Sequence, residues 1–140
     1  MRLYKILPNL FVSGVPKEKD VETLAKDGIT AIVTMSKKKP EPVVLAGKKH
    51  FYFPIPDGKT LPDFQPAIDK VEELLADGET VLVHCLQGRN RSMMVAATVM
   101  KDKLQLSGEE AFQRVRAIRS SCLHNILFEE HLRNQPRRTA

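Results

Sequence analysis

Hydrophobic and polar positions along this chain switch between the two-residue period of strands and the longer period of helices. Two short runs, Tyr4–Leu7 and Leu10–Ser13, flank the turn pair Pro8-Asn9, which predicts a pair of strands. Pro16 suits a helix start, Val21, Leu24 and Ala25 supply its apolar face, and Gly28 stops it. The β-branched run 29–35 predicts a central strand. A polar loop follows, then a helical turn at 43–46 and a strand at 51–55 that Pro54, Pro56 and Gly58 bring to an end. Phe64, Ile68, Val71 and Leu75 recur with a period of about 3.6, the mark of an amphipathic helix, with Asp63 as its N-cap and Gly78 closing it. Residues 80–84 return as a strand. Arg91–Leu104 is a second, strongly apolar helix carrying Met94, Val95, Thr98 and Val99. Ser107 and Glu110 form a capping box for a helix through Arg119, and Asn125 caps a last helix holding Ile126, Phe128 and Leu132.

Strands alternating with helices imply the α/β class: a mostly parallel central sheet of about five strands flanked by helices on both faces. A chain of 140 residues is expected to form one domain over 1–140. In such sheets ligands bind beyond the carboxyl ends of the strands. Cys85 directly follows one predicted strand and Asp57 lies just past another, so both fall at that edge.

Composition excludes more than it selects. No apolar stretch reaches the length of a membrane span, and the first residues lack the pattern of a signal peptide, so a cytoplasmic protein without a membrane partner is expected. Two cysteines are too few for a disulfide framework. A net charge of +5 favours anionic partners without choosing among them. The runs Lys37-Lys38-Lys39 and Arg137-Arg138 read as solvated loop and tail, and 6% aromatic content with no Trp does not make a base-stacking platform. His50, His84, His124 and His131 show no ligand spacing, so neither a metal nor any other cofactor is expected. Cys122 reads as a spare, partly buried residue or as a redox partner for Cys85. A monomer is expected.

The chemistry lies in His84-Cys85-Leu86-Gln87-Gly88-Arg89-Asn90-Arg91-Ser92. A thiol just beyond a buried strand, in a short loop with Gly88, suits capture of a phosphate dianion. The backbone N–H groups can turn inward as an anion nest, and Arg91 can offer two parallel N–H bonds. The nest, the following helix and Arg91 favour the thiolate, the form that attacks phosphorus. Ser92 can donate a hydrogen bond to sulfur, and His84 helps through its ring or its strand position. Asp57, in Pro54-Ile55-Pro56-Asp57-Gly58, is the candidate general acid, with Asp63 as the second choice. Arg89 is a solvated loop cation or a second contact with anionic substrate.

The loop resembles the His-Cys-x5-Arg-Ser/Thr signature of the protein tyrosine phosphatase superfamily, and the compact length resembles its dual-specificity branch. Ile6-Leu7-Pro8-Asn9-Leu10-Phe11-Val12-Ser13-Gly14 is similar to that branch's opening strands, and Gly28-Ile29-Thr30 to its first helix-to-strand turn. Ile55-Pro56-Asp57-Gly58 resembles its acid loop, and His124-Asn125-Ile126-Leu127-Phe128 the start of its last helix. The resemblance implies Cys85 as nucleophile, Arg91 as phosphate clamp, Asp57 as acid and base, and Ser92 as the thiolate's partner. It also implies a phosphate cradle of N–H groups from Leu86, Gln87, Gly88, Arg89, Asn90 and Arg91. The implied activity is hydrolysis of phosphotyrosine, and of phosphoserine or phosphothreonine, in a protein substrate through a phosphocysteine.

Two positions depart from the family pattern. Met93 stands where many members carry a small residue. Asn90 resembles the RNA 5′-triphosphatase relatives, which makes an RNA 5′ end a second candidate substrate. The same loop would also serve a phosphoinositide phosphatase or a non-catalytic phosphoresidue-binding module. The shorter loop of sulfur-transfer enzymes would place its arginine at position 90, where Asn stands.

Overall fold

The computed structural model describes residues 2–138. Tyr4–Leu7 (β1) and Leu10–Ser13 (β2) form an antiparallel pair around the Pro8-Asn9 turn. Ala31–Thr34 (β3), Lys49–Tyr52 (β4) and Val81–His84 (β5) complete one five-stranded sheet in the order β1-β2-β5-β3-β4. Every pairing but β1 with β2 is parallel. The helices are Val21–Lys26 (α1), Pro42–Leu45 (α2), Gln65–Ala76 (α3), Arg91–Leu104 (α4), Gly108–Ile118 (α5) and Ile126–Arg133 (α6).

Strand alternation divides the core. Leu10, Val12, Ala31, Val33, Val81 and Val83 face the layer built from α3 to α6, while Phe11, Ile32 and Leu82 face Leu24 of α1 and Val44 of α2. Each of these side chains except the small Ala31, taken from water, contributes roughly 1.5–3 kcal/mol. Helix α4 lies on the sheet with α3, α5 and α6 against it, so its residues from Ser92 to Lys101 are buried. That enclosure is why its sequence is apolar nearly all round. Met93 is wholly buried within this layer.

Several boundaries differ from expectation. Strand β4 forms at Lys49–Tyr52 rather than 51–55, because Lys49 N–H already bonds Thr30 C=O and Pro54 brings no N–H to the ladder. The chain still runs beside β3, with Phe53 N–H on Thr34 C=O and Ile55 N–H on Met35 C=O. Helix α1 starts after a 3-10 turn at Glu18–Asp20, well past Pro16, and Ala25 is exposed. The N-cap position of α3 falls at Phe64, whose side chain makes no cap bond. Asp63 sits one residue earlier and accepts from Gln65 N–H. The tail arginines are exposed, as expected, and each also reaches a carboxylate: Arg137 that of Glu110, and Arg138 that of Asp102. No helix among the described residues is long and apolar enough to cross a membrane.

Strand β5 lies between β2 and β3, in register with both, so Ser13, His84 and Thr34 form one row across the carboxyl edge. The loop after His84 therefore leaves the middle of the sheet.

Candidate functional site

The loop is shaped by what grips its backbone from outside. Leu86 C=O accepts from Val15 N–H at 3.4 Å, and Arg89 C=O from Leu123 N–H at 2.8 Å. Arg119 Nη1 donates to Gln87 C=O at 3.0 Å and to Gly88 C=O at 2.9 Å. Four successive carbonyls are thus bonded outward. Across a trans peptide the N–H opposes the carbonyl, so the N–H groups of Gln87, Gly88, Arg89 and Asn90 face the opposite way. That is the anion nest the loop required.

Gly88 makes this turn possible. Its φ is 69°, and a Cβ there would lie 2.5 Å from the Ser13 carbonyl carbon. Arg119, at the end of α5, is itself steadied by the Tyr4 ring, 4.6 Å from its guanidinium.

A cavity of about 290 Å³ opens on this nest, lined by Asp57, Cys85, Leu86, Gln87, Arg89, Asn90 and Arg91. Cys85 is 2% exposed, with Sγ 3.1 Å from the buried Ser92 Oγ. Arg91 anchors Nη1 on Ile55 C=O at 2.9 Å, while its Nε is buried without a protein acceptor. An oxyanion in the cavity would satisfy such a donor. Asp57 reaches the rim from the loop after β4. Its carboxylate accepts from Asn90 Nδ2 and from Asn125 Nδ2, each at 2.9 Å. The cavity can therefore hold a tetrahedral dianion beside a thiol and a carboxyl group.

His84 does not line the cavity. It is wholly buried beneath the loop, with Nδ1 3.3 Å from Cys85 C=O and Nε2 2.7 Å from Thr34 Oγ1. Burial, with weaker repulsion from His50 and Arg91, lowers its pKa to about 4. It is neutral at physiological pH. A carbonyl only accepts, so Nδ1 carries the proton, and Thr34 donates to Nε2. The Thr34 oxygen then accepts from His50 Nε2 at 2.7 Å.

Of the residues read from sequence, Cys85, Ser92, Arg91, Asp57, Asn90 and Arg89 come together, with His84 beneath them. Asp63, the second choice of acid, lines a different cavity beside α3 and α6. Cys122 is buried, its thiol on Val115 C=O and its pKa raised by burial against the pull of Arg116 and Arg119. Among the described residues no group of three or more His, Cys, Asp or Glu could hold a metal. Sequence reasoning missed Arg119, Thr34 and the second role of Asn125. A helix-end arginine and a strand threonine carry no local signal of their partners.

The family model of the dual specificity phosphatase catalytic domain matches residues 10–138. The chain belongs to the dual-specificity phosphatase family. It is 34% identical over 128 residues to human dual specificity protein phosphatase 9, covering 89% of this chain and 33% of that protein. It is 31% identical over 132 residues to dual specificity protein phosphatase 22 of Xenopus tropicalis, covering 91% and 62%. This dual-specificity phosphatase domain thus spans less than two thirds of either relative. The crystal structure of human DUSP28 superposes with a TM-score of 0.78 at 26% identity, covering 93% of this chain and 89% of that one.

Proposed function

We propose that this chain is a cysteine-dependent protein phosphatase acting through a phosphocysteine. One observation carries the reading: Cys85, Asp57 and the inward N–H groups share a single cavity with Arg91, whose buried Nε lacks a protein partner. Cys85 Sγ attacks phosphorus and forms the S–P bond while the P–O bond to the substrate breaks. Asp57 delivers its proton to the departing oxygen. The carboxylate then takes a proton from water as that water attacks phosphorus, releasing phosphate and the Cys85 thiolate. Ser92 stabilises that leaving thiolate by hydrogen bonding. Arg91 and the N–H groups of residues 86–91 hold the phosphoryl oxygens throughout. His84 acts from behind the loop, through its bond to Cys85 C=O, and is a positioning residue.

The substrate class follows from the neighbouring surface. An apolar slot of about 480 Å³, lined by Pro54, Ile55, Pro56 and Leu86, shares Leu86 and Arg91 with the phosphate cavity. It suits the ring of phosphotyrosine, while smaller phosphorylated side chains of serine and threonine gain less from it. Lys37 and Lys38 at its edge suit an acidic protein segment. Asn90, the basis of the RNA reading, is engaged with Asp57 and the segment before α6. A monomer working in the cytoplasm without a metal completes the proposal.

The test is phosphate release from a phosphotyrosine peptide, a phosphoserine peptide and triphosphate-ended RNA, in the presence of a chelator. Fastest release from the first, abolished by Cys85→Ser, is expected. Full activity of Cys85→Ser, or preference for the RNA, would overturn the reading.

A further inference from the structure

Asp57 stands in an irregular stretch between β4 and α3, next to Gly58, where no ladder or helix bonds fix the backbone. Two amides nevertheless hold it from either side. Asn90 Nδ2 donates to Oδ2, and Asn125 Nδ2 donates to Oδ1. Asn125 Nδ2 also donates to Gly58 C=O at 2.9 Å, so the loop is gripped through backbone as well as side chain.

The orientation of a side-chain amide must be inferred from its partners. Here both are determined by backbone donors. Asn90 Oδ1 accepts from His124 N–H at 2.8 Å and Asn125 N–H at 3.2 Å. Asn125 Oδ1 accepts from Leu127 N–H at 3.1 Å and Phe128 N–H at 3.4 Å, as the cap of α6. Flipping either amide would set NH2 against N–H and carbonyl oxygen against carboxylate. Each asparagine therefore presents N–H to Asp57.

The two amides also belong to parts that are fixed with respect to Cys85. Asn90 is the residue before Arg91 in the phosphate loop. Asn125 follows the turn in which Leu123, at φ 55°, bonds the Arg89 carbonyl. The loop bearing the acid is thus bound to the phosphate loop and to the start of α6 at once.

We propose that Asn90 is a positioning residue for Asp57, its amide joining that of Asn125 to hold the acid loop over the phosphate cavity. The inference rests on the phosphatase reading of the site. Asn90 serves the proton-transfer step and not phosphate capture alone.

The experiment compares two aryl phosphates on the same protein sample, one with a poor leaving group and one with a good leaving group that needs little protonation. Asn90→Ala removes the donor. Asn90→Asp keeps an acceptor for His124 and Asn125 N–H but faces Asp57 with a like charge. Both variants should lower kcat/KM, which reports only the steps through phosphocysteine formation, by about tenfold or more on the poor leaving group, as misplacing a reacting group does. On the good leaving group the loss in kcat/KM should stay below about threefold, because the departing oxygen needs little protonation and the later hydrolysis, where Asp57 acts as base, does not enter kcat/KM. In an Asp57→Ala background, adding Asn90→Ala should change neither rate by more than about twofold, since residues acting as one unit are not additive. The readout is a ratio on one sample, so partial unfolding of a variant leaves it unchanged.

Equal losses on both substrates, no loss on either, or a full further loss in the Asp57→Ala background would each overturn the inference. If the unaltered protein turns over neither phosphate, the phosphatase reading and this inference fall together. If Asp57→Ala is selectively impaired on the poor leaving group but Asn90→Ala is not, only the inference falls.

Discussion

Cys85 Sγ and Ser92 Oγ lie 3.1 Å apart, both buried, across the turn where β5 gives way to α4. When the S–P bond breaks in the proposed mechanism, negative charge returns to a sulfur that is hydrogen-bonded to that hydroxyl. A hydrogen bond to a charged group contributes about 1.5–3 kcal/mol, a factor of roughly 10–100 in rate. Ser92→Ala should therefore slow breakdown of the phosphocysteine by about that factor and leave its formation nearly unchanged. Rapid-mixing measurement should show a burst of leaving group matched to the enzyme present, then a slow steady state. A slow rate with no burst would place the role of Ser92 elsewhere.

Gly88 admits no side chain. A Cβ would lie 2.5–2.8 Å from backbone atoms of Ser13 and Gly14, and the φ of 69° is strained for any other residue. Ser13 cannot yield, because β2 is paired with β5 in the middle of the sheet. Gly88→Ala should lower unfolding free energy by about 1–3 kcal/mol and turn the nest N–H groups out of line. Inhibition by inorganic phosphate, measured as a binding constant, should weaken by about tenfold or more, the scale of one lost charged hydrogen bond. Gly58→Ala is the control. Its Cβ meets nothing within 4 Å, and the unfolding midpoint should hardly move.

His84 gives stability a pH dependence whose sign is determined. Its value in the fold, about 4, lies below the ordinary 6.5, so the unfolded chain binds more protons between those limits. The stabilisation is complete above pH 6.5 and is lost as pH falls toward 4, by roughly 3 kcal/mol in all. Denaturant unfolding at a series of pH values should show this slope. In His84→Gln the slope should flatten over that window. If both proteins lose stability equally between pH 6.5 and 4, the buried imidazole is not its source.

Much of the fold is legible in local pattern. The β-branched runs, the capping box at Ser107 and the asparagine cap at 125 are short-range signals, and each element they predict is present. The errors cluster where a neighbour decides. Strand β4 begins at Lys49 because Thr30, just before β3, offers it a carbonyl, which periodicity within 49–55 cannot reveal. Ala25 carries an apolar side chain at a helical spacing, yet no layer covers that side of α1.

The site divides in the same way. Cys85, Gly88, Arg91 and Ser92 are bound together by a few covalent steps, so their spacing alone states that a thiol, a turn and a forked cation share one loop. Asp57 could be placed at the same edge because strand polarity follows from the order of elements. What holds those groups is long-range. Arg119 grips the loop carbonyls from 31 and 32 residues away, and Asn125 reaches Asp57 across 68. A hydrogen bond depends on where two atoms lie in space, and at such separations only packing brings them together. The sequence by itself determined which chemical groups this protein has and which strand edge presents them. The tertiary structure alone decided their outward-bonded carbonyls, the neutral His84 and the two amides on the Asp57 carboxylate, since each requires partners that chain order does not bring near.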